Sequence, residues 1–185
     1  TRVGSRVSPD YMRKFIASPA ALQAGTTMPS LLDGEADRDE IAEAITHYLV
    51  VKADKPFRHD LVKPKDAVLG QKLFHRIGCV GCHSPRDANG METSMKGVVG
   101  LAHVPAKYNL MSLSDFLFQP AHARPSGRMP DMNLTRDEAR SIASHLIGIG
   151  VRKVKSLKPE PWLAARGQKY FRQFNCSACH EMEGA

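Results

Sequence analysis

The sequence of 185 residues is poor in aromatic side chains and has no long apolar run. Aromatic residues make up only 6% of the chain, which is little if side chains alone must fill its core. Hydrophobic residues reach 42% and charged residues 24%, a balance that excludes wholesale disorder. The best apolar stretch, His145 to Val151, is far shorter than the roughly 18 residues of a membrane span, and no signal peptide is recognisable. We therefore expect a soluble chain that is a processed product, a fragment or a cytoplasmic protein.

Cysteine is also scarce, but its four copies follow a regular pattern. They form two pairs, each followed at once by a histidine: Cys79, Cys82 and His83, then Cys176, Cys179 and His180. C-x-x-C-H is the attachment signature of c-type haem. Two thiols three residues apart on a helical turn can reach the two vinyl groups of one porphyrin, and the next residue presents an imidazole to the iron. The pattern predicts two covalently attached haems.

Two other uses of cysteine pairs stay open at this point. Two C-x-x-C pairs can build an all-cysteine zinc site, and a single pair can serve as a thioredoxin-like dithiol. Zinc sites usually place their pairs about 12–20 residues apart, whereas these pairs begin 97 residues apart. A redox dithiol does not explain a histidine directly after both pairs. We therefore favour haem over zinc and over a dithiol.

Each motif follows a segment that is repeated. Gly70-Gln71-Lys72-Leu73-Phe74 precedes the first motif, and Gly167-Gln168-Lys169-Tyr170-Phe171 precedes the second at the same distance. Both segments have the apolar periodicity of an amphipathic helix. Gly78 and Asn175 stand where a helix ends with a residue that tolerates the left-handed conformation. We expect a helix to lead directly into each haem-binding turn.

A second repeat has an offset of 101 residues. It matches seven positions without a gap: Phe15, Pro19, Ala20, Met28, Pro29, Ile41 and Ala42 with Phe116, Pro120, Ala121, Met129, Pro130, Ile142 and Ala143. Each copy predicts a short helix that ends before a proline, a Met-Pro loop and a longer amphipathic helix. A capping box from Thr135 to Glu138 opens the later long helix, and Asp37 opens the earlier one more loosely. No strand-like alternation occurs, so the sequence predicts an all-α fold.

These features together resemble a class I c-type cytochrome domain: a helix running into C-x-x-C-H, then 46 residues to a Met-Pro loop, then a closing helix. Residues 66–150 match such a domain in full. The loop sequences at 4–11 and 19–30 resemble the cytochrome c modules of large bacterial multidomain, multihaem proteins. The resemblance implies helical domains, each wrapped around a haem c whose iron lies between the motif histidine and a methionine. In the complete domain these axial ligands are His83 and Met129.

Met129 has competitors as the axial ligand. They are the other methionines that follow the first motif: Met132 above all, then Met91, Met95 and Met111. Met129 is favoured because it aligns with Met28 and because the proline after it restricts the backbone. A bis-histidine haem that uses His103 or His122 also stays open. The other histidines outside the motifs are expected to be surface or structural groups.

The order of the half-domains is unusual. Residues 1–50 resemble the methionine-bearing half of a domain, and residues 162–185 resemble the haem-attachment half. Basic linkers at 51–65 and 151–161 separate these halves from the complete domain at 66–150. The halves either belong to two severed domains or complete one another, by circular permutation or by exchange between molecules in a homo-oligomer. We favour the completed domain, with His180 and Met28 as axial ligands of the second haem.

These observations predict a di-haem c-type cytochrome that transfers single electrons. Haem attachment in the family implies a periplasmic or otherwise extracytoplasmic location in a bacterium. The net charge of +7 and the basic linkers fit either a solvated surface or one that steers an acidic redox protein, and nothing indicates nucleic-acid binding. The alternatives are a di-haem enzyme of the cytochrome c peroxidase type and the electron-relay part of a larger redox enzyme. Two methionine-bearing halves for two haem motifs favour closed, six-coordinate irons and hence electron transfer.

Overall fold

The computed structural model describes residues 3–23, 25–84, 97–125, 127–148, 156–180 and 182. These residues form ten α-helices: α1 (Val3–Arg6), α2 (Pro9–Ala17), α3 (Pro19–Leu22), α4 (Arg38–Val51), α5 (Pro64–Arg76), α6 (Val104–Lys107), α7 (Leu110–Phe118), α8 (Pro120–Ala123), α9 (Arg136–Ile147) and α10 (Pro161–Gln173). Two short 3₁₀ turns, Cys79–Gly81 and Cys176–Ala178, follow α5 and α10. Met91, Met95 and the linker residues 151–155 lie outside the described residues.

The predicted all-α fold class is confirmed, because the described ranges are mostly helical and contain no strand. Within the same ranges, no helix combines the length and the apolar character that crossing a membrane would require. Contacts divide the chain into two compact units. The terminal unit consists of Thr1–Arg58 together with Val154–Ala185, and the central unit consists of His59–Lys153.

In the central unit, α5 packs across α9, and their crossing requires a glycine. A side chain at Gly70 would collide with the backbone carbonyl of Ser141, so only glycine lets the two backbones come this close. The core around the crossing is largely aliphatic: Phe74, Leu101, Val104, Leu110, Leu113, Leu117, Leu134, Ile142 and Leu146. Cys79 and Val80 pack against this core, which places the first cysteine motif at its edge.

In the terminal unit, α10 packs across α4 in the same way. A side chain at Gly167 would collide with the backbone carbonyl of Ala44. Phe171 on α10 shares one core with residues of the N-terminal half: Met12, Ala17, Leu32, Ile41, Ala42, Ile45, Tyr48 and Leu49. The two ends of the sequence therefore contribute to a common core.

A buried histidine links the two ends of the chain within the terminal unit. His47 on α4 is 4% exposed, and its Nδ1 accepts a 2.9 Å hydrogen bond from the backbone N–H of Glu160, directly before α10. An accepting Nδ1 leaves the ring proton on Nε2, which donates to the Glu43 carboxylate at 3.3 Å. Arg13 on α2 pairs with the same carboxylate at 3.2 Å. His47 is thus a structural group that connects α2, α4 and α10.

The predicted capping box at the start of α9 is confirmed. The Thr135 hydroxyl accepts a hydrogen bond from the Glu138 N–H at 3.2 Å, and the Glu138 carboxylate accepts one from the Thr135 N–H at 2.9 Å. The bonds from Thr135 lower the pKa of Glu138. Asp37, at the start of α4, makes no such side-chain bond. Of these two long helices, α9 therefore has a side-chain cap at its N-terminus and α4 does not.

The gap-free offset of 101 residues is wrong for the long helices. The short helices keep this offset, since α2 and α3 begin 101 residues before α7 and α8. At the glycine crossings, however, Ala44 takes the place of Ser141, which is an offset of 97. The N-terminal copy therefore has four extra residues between the end of α3 and Ala44. Four residues are about one helical turn, so Ile41 and Ile45 both suit the buried face of the helix. The apolar pattern of the sequence therefore fits either offset and does not reveal the four-residue shift.

Candidate haem-attachment sites

The two C-x-x-C-H motifs adopt the same backbone conformation. Gly78 (φ 94°) and Asn175 (φ 50°) are left-handed, which confirms the predicted helix ends. In the 3₁₀ turn that follows, the backbone N–H of the motif histidine donates to the carbonyl of the first cysteine. The distances are 2.9 Å from His83 to Cys79 and 3.1 Å from His180 to Cys176. Each turn therefore brings its histidine back beside the cysteine pair.

The two thiols of each motif lie in different surroundings. None of the four cysteines forms a disulfide; Cys79 and Cys176 are half-buried, whereas Cys82 and Cys179 are exposed. Cys79 packs against the core of the central unit and Cys176 against that of the terminal unit. Burial raises the pKa of both of these thiols. Each motif thus offers one thiol at the edge of a core and one at the surface.

The ring of His83 is held by the protein backbone. Its Nδ1 lies 3.2 Å from the carbonyl oxygen of Val99, and because a carbonyl only accepts, Nδ1 carries a proton. Nε2 then remains as the nitrogen that can bind a metal. Val99 also donates its N–H to the Cys82 carbonyl at 2.8 Å and accepts from the Ser84 N–H at 3.3 Å. The Val99 backbone, a contribution that the sequence analysis missed, therefore fixes both the turn and the ring.

His180 has no comparable support within the part of the chain that the structure describes. Its side chain is exposed, and no described residue forms a hydrogen bond with its ring. Two residues further on, Met182 packs against the core of the terminal unit, although the sequence analysis did not single it out. The two motif histidines therefore share a backbone conformation, and among the described residues a backbone contact is seen for the ring of His83.

Both leading methionine candidates of the central unit lie at its core. Met129 and Met132 are half-buried and pack against the same cluster as Cys79 and Val80. Met111 is 50% exposed on α7. Packing thus brings both Met129 and Met132 to the core that carries the attachment turn, and the proline that follows Met129 is what favours it.

Met28 lies in a different environment. It is half-buried, and its backbone N–H donates to the Thr26 hydroxyl at 3.3 Å in a local turn. Among the described residues that pack against the core of the terminal unit, Met28 is absent, whereas Leu32 belongs to that core. The role of Met28 as an axial ligand stays a prediction.

The described residues contain no cluster of three or more His, Cys, Asp or Glu side chains that could hold a metal ion. Each unit contains one of the two cysteine pairs. A zinc site needs at least three protein ligands, whereas a haem iron takes only two axial ones. Each cysteine motif thus lies in its own unit, at the edge of that unit's own core.

The positive charges differ strongly in their surroundings. Lys107 on α6 is 8% exposed, and its ammonium lies 4.9 Å from the centre of the Tyr108 ring. Burial, together with the charge of Arg124, lowers the pKa of Lys107 to about 8. The described basic residues of the predicted linkers are all exposed: Lys52, Lys55, Arg58, Lys63, Lys65 and Lys158. The linkers thus have a positively charged surface. Lys107, by contrast, is a basic residue buried within the central unit.

Comparison with known proteins identified no relative: no family model, no curated protein and no solved structure matches the chain. The functional assignment therefore depends on the cysteine motifs and on the geometry of the turns that carry them.

Proposed function

We propose that the chain is a di-haem c-type cytochrome that transfers single electrons. Haem c is attached at Cys79 and Cys82 in the central unit and at Cys176 and Cys179 in the terminal unit. The observation that carries the proposal is the pair of matching C-x-x-C-H turns, each of which follows a helix and lies at the edge of an apolar core. Two copies with the same preceding helix and the same backbone are a far more specific signal than one motif.

The residues of the central unit suit a haem in three respects. One thiol lies at the core and one at the surface, so the pair spans the edge of the unit. The contact with Val99 leaves Nε2 of His83 as the metal-binding nitrogen. Met129 and Met132 offer thioether sulfurs at the same core. A bound haem supplies a one-electron iron couple, and the chain supplies the axial ligands and an apolar shell that together set its potential.

The proposed axial ligands are His83 and Met129 for the first haem and His180 and Met28 for the second. The second pair is supported by the shared core of the terminal unit, because residues from both ends of the sequence build it. The resemblance to c-type cytochromes further implies an extracytoplasmic location and a redox protein as partner. The exposed basic linkers suit an acidic partner, since opposite charges speed the encounter of redox proteins.

The experiment that tests this function is the mass of the intact chain, produced in a bacterium that attaches haem to exported proteins. Two thioether-linked haems should add about 1.2 kDa to the polypeptide. None of the four cysteines should then react with an alkylating reagent after denaturation. An unmodified polypeptide mass, or one zinc ion per chain, would contradict the proposal.

Matched variants assign each haem to its motif. Replacing Cys79 and Cys82 by serine should leave one haem, attached in the terminal unit. Replacing Cys176 and Cys179 by serine should leave one haem in the central unit. Loss of both haems from a variant that still shows the helical content of the native chain would contradict independent attachment at two sites.

A further inference from the structure

The outer side of α10 carries a regular row of exposed residues. The residues that α10 buries in the terminal unit are Ala164, Gly167 and Phe171. Four exposed residues follow one another at intervals of three, four and three positions: Trp162, Ala165, Lys169 and Arg172. This spacing places them on one side of the helix, opposite the buried residues, over a length of about 15 Å. We call these four residues the α10 stripe.

The stripe begins with an exposed indole ring. Trp162 is the only tryptophan of the chain, and it is 60% exposed. Tryptophan is among the residue types that most often dominate the binding energy of a protein interface, because its ring buries a large area at little cost in conformational entropy. The exposed ring therefore indicates contact with another molecule.

The charge of α10 has one sign. The helix contains Arg166, Lys169 and Arg172 and no acidic residue. Arg166 is engaged within the terminal unit, since it donates a 3.0 Å hydrogen bond to the Tyr170 hydroxyl. Lys169 and Arg172 are exposed and contribute their charges to the stripe. The stripe thus combines an indole ring with two positive charges, which complements a surface that is acidic around an apolar contact.

α5 has the same construction but a different stripe. The residues 97 positions earlier are all exposed: Lys65, Val68, Lys72 and His75. A lysine takes the place of Trp162, and α5 also contains the acidic Asp66. Two lysines therefore match the two positive charges of the α10 stripe, whereas the indole ring is specific to α10. This difference makes α5 a matched control for α10.

From these observations we infer that the α10 stripe is the docking surface for an acidic redox protein. α10 runs into the second attachment turn, whose Cys179 is exposed. A protein bound along the stripe therefore reaches the end of the helix that leads into the cysteine pair. The inference rests on the proposed function, because only a haem protein exchanges electrons with such a partner.

Two other occupants fit the stripe less well. A second copy of the chain would bring identical positive charges together across a two-fold interface, where like charges repel one another. A membrane surface requires a helix whose broad apolar side faces the lipid, whereas the apolar side of α10 is used by the core of the terminal unit. An acidic protein satisfies both the ring and the charges.

The test uses the intact chain, whose haem content is first established by mass, and flavodoxin as an acidic one-electron donor. In the reduced chain the single tryptophan gives one indole N–H signal in the proton NMR spectrum. Titration with flavodoxin should shift this signal until it saturates, which gives the dissociation constant. Added salt should reverse the shift, because salt screens opposite charges.

Matched variants separate the stripe from the overall charge. Replacing Lys169 and Arg172 by glutamine should raise the dissociation constant by about threefold or more. Replacing Lys65 and Lys72 by glutamine removes the same charge from α5 and should change it by less than about twofold. Trp162→Lys gives α10 the residue that α5 has and should weaken binding by about tenfold or more despite the added charge. The backbone amides of α10 report binding in that variant.

Electron transfer provides a second measurement. Reduced flavodoxin passes one electron to a ferric haem of the chain, and stopped-flow absorption gives the second-order rate constant. At low salt, replacing Lys169 and Arg172 should lower this constant by about threefold or more, because opposite charges speed the encounter. Replacing Lys65 and Lys72 should lower it less.

Four results would overturn the inference. They are a Trp162 signal that flavodoxin does not shift, equal effects of the two charge variants, self-association that Trp162→Lys abolishes, and binding to vesicles of phosphatidylcholine and phosphatidylserine that Trp162→Lys weakens. The last two would assign the stripe to a second copy or to a membrane. A chain that carries no haem would instead contradict the proposed function, and the mass measurement detects this before any flavodoxin is added.

Discussion

At the residue scale, two sulfurs are candidates for the axial ligand of the proposed first haem, since Met129 and Met132 pack against the same core as Cys79. Met129→His should lower the reduction potential of the first haem, because an imidazole stabilises ferrous iron less than a thioether does. It should also abolish that haem's share of the weak near-infrared band of methionine–iron charge transfer in the ferric protein. A redox titration combined with near-infrared absorption measures both effects.

Met111→His is the matched control for this substitution. Met111 is 50% exposed, so a histidine there should change neither the potential nor the band. If Met132→Ala removes the first haem's share of the band and Met129→Ala leaves it intact, the axial ligand is Met132.

The sequence predicts some of the site residues and hides others. The cysteines and histidines of the motifs are recognisable because their spacing within one turn is itself the chemical requirement. Val99 contributes a backbone carbonyl sixteen residues after His83. Every residue has such a carbonyl, so no side-chain pattern distinguishes this one. The burial of Leu32 in the core of the terminal unit is hidden for a related reason, since it depends on contacts with residues distant in the sequence.

At the scale of elements, the helix crossings depend on Gly70 and Gly167. An alanine Cβ at either position would collide with a backbone carbonyl, which cannot turn aside as a flexible side chain can. Gly70→Ala should lower the free energy of unfolding of the central unit, and Gly167→Ala that of the terminal unit. We expect each loss to be at least about 1–3 kcal/mol, the usual cost of overpacking. Urea unfolding followed by circular dichroism measures both.

The sequence itself supplies the control for these glycine substitutions. A Cβ at Gly81 would meet no atom within 4 Å, and Ala178 already occupies the same place in the second motif. Gly81→Ala should therefore change the free energy of unfolding by less than about 0.5 kcal/mol. A Gly70→Ala variant as stable as Gly81→Ala would contradict the close crossing of α5 and α9.

The helices themselves were predictable, but their register was not. Long amphipathic segments and the capping box at Thr135 are local patterns, and they gave the long helix α9 correctly. The offset between the two copies required knowledge of which residues meet at a crossing. Because four residues nearly complete a turn, Ile41 and Ile45 satisfy the apolar pattern equally well. The close approach of Gly167 to Ala44 shows that Ile45, rather than Ile41, corresponds to Ile142.

At the scale of the whole chain, the terminal unit is built from both ends of the sequence. Phe171 on α10 belongs to the same core as Ile41 and Ile45 on α4. The bond between His47 and Glu160 adds a polar link between the same two helices. A substitution near the C-terminus should therefore destabilise helices near the N-terminus.

Phe171→Ala tests this long-range dependence. Removing a buried phenylalanine typically costs about 3–5 kcal/mol, and Phe171 is 4% exposed. We expect the amides of α2 and α4 to lose much of their protection from hydrogen exchange, while those of α9 keep theirs. Hydrogen exchange resolved by peptide, followed by mass spectrometry, measures the protection of each helix.

Phe74→Ala provides the reciprocal control, because Phe74 holds the corresponding place in the central unit at 2% exposure. It should expose the amides of α9 and spare those of α4. Since each phenylalanine belongs to a different core, the two effects should also add in the double variant. If Phe171→Ala instead leaves α4 protected, the N-terminal half is stable without the packing of Phe171. The N-terminal half would then be a separate folding unit, and the case for Met28 and His180 as ligands of one iron would lose its structural support.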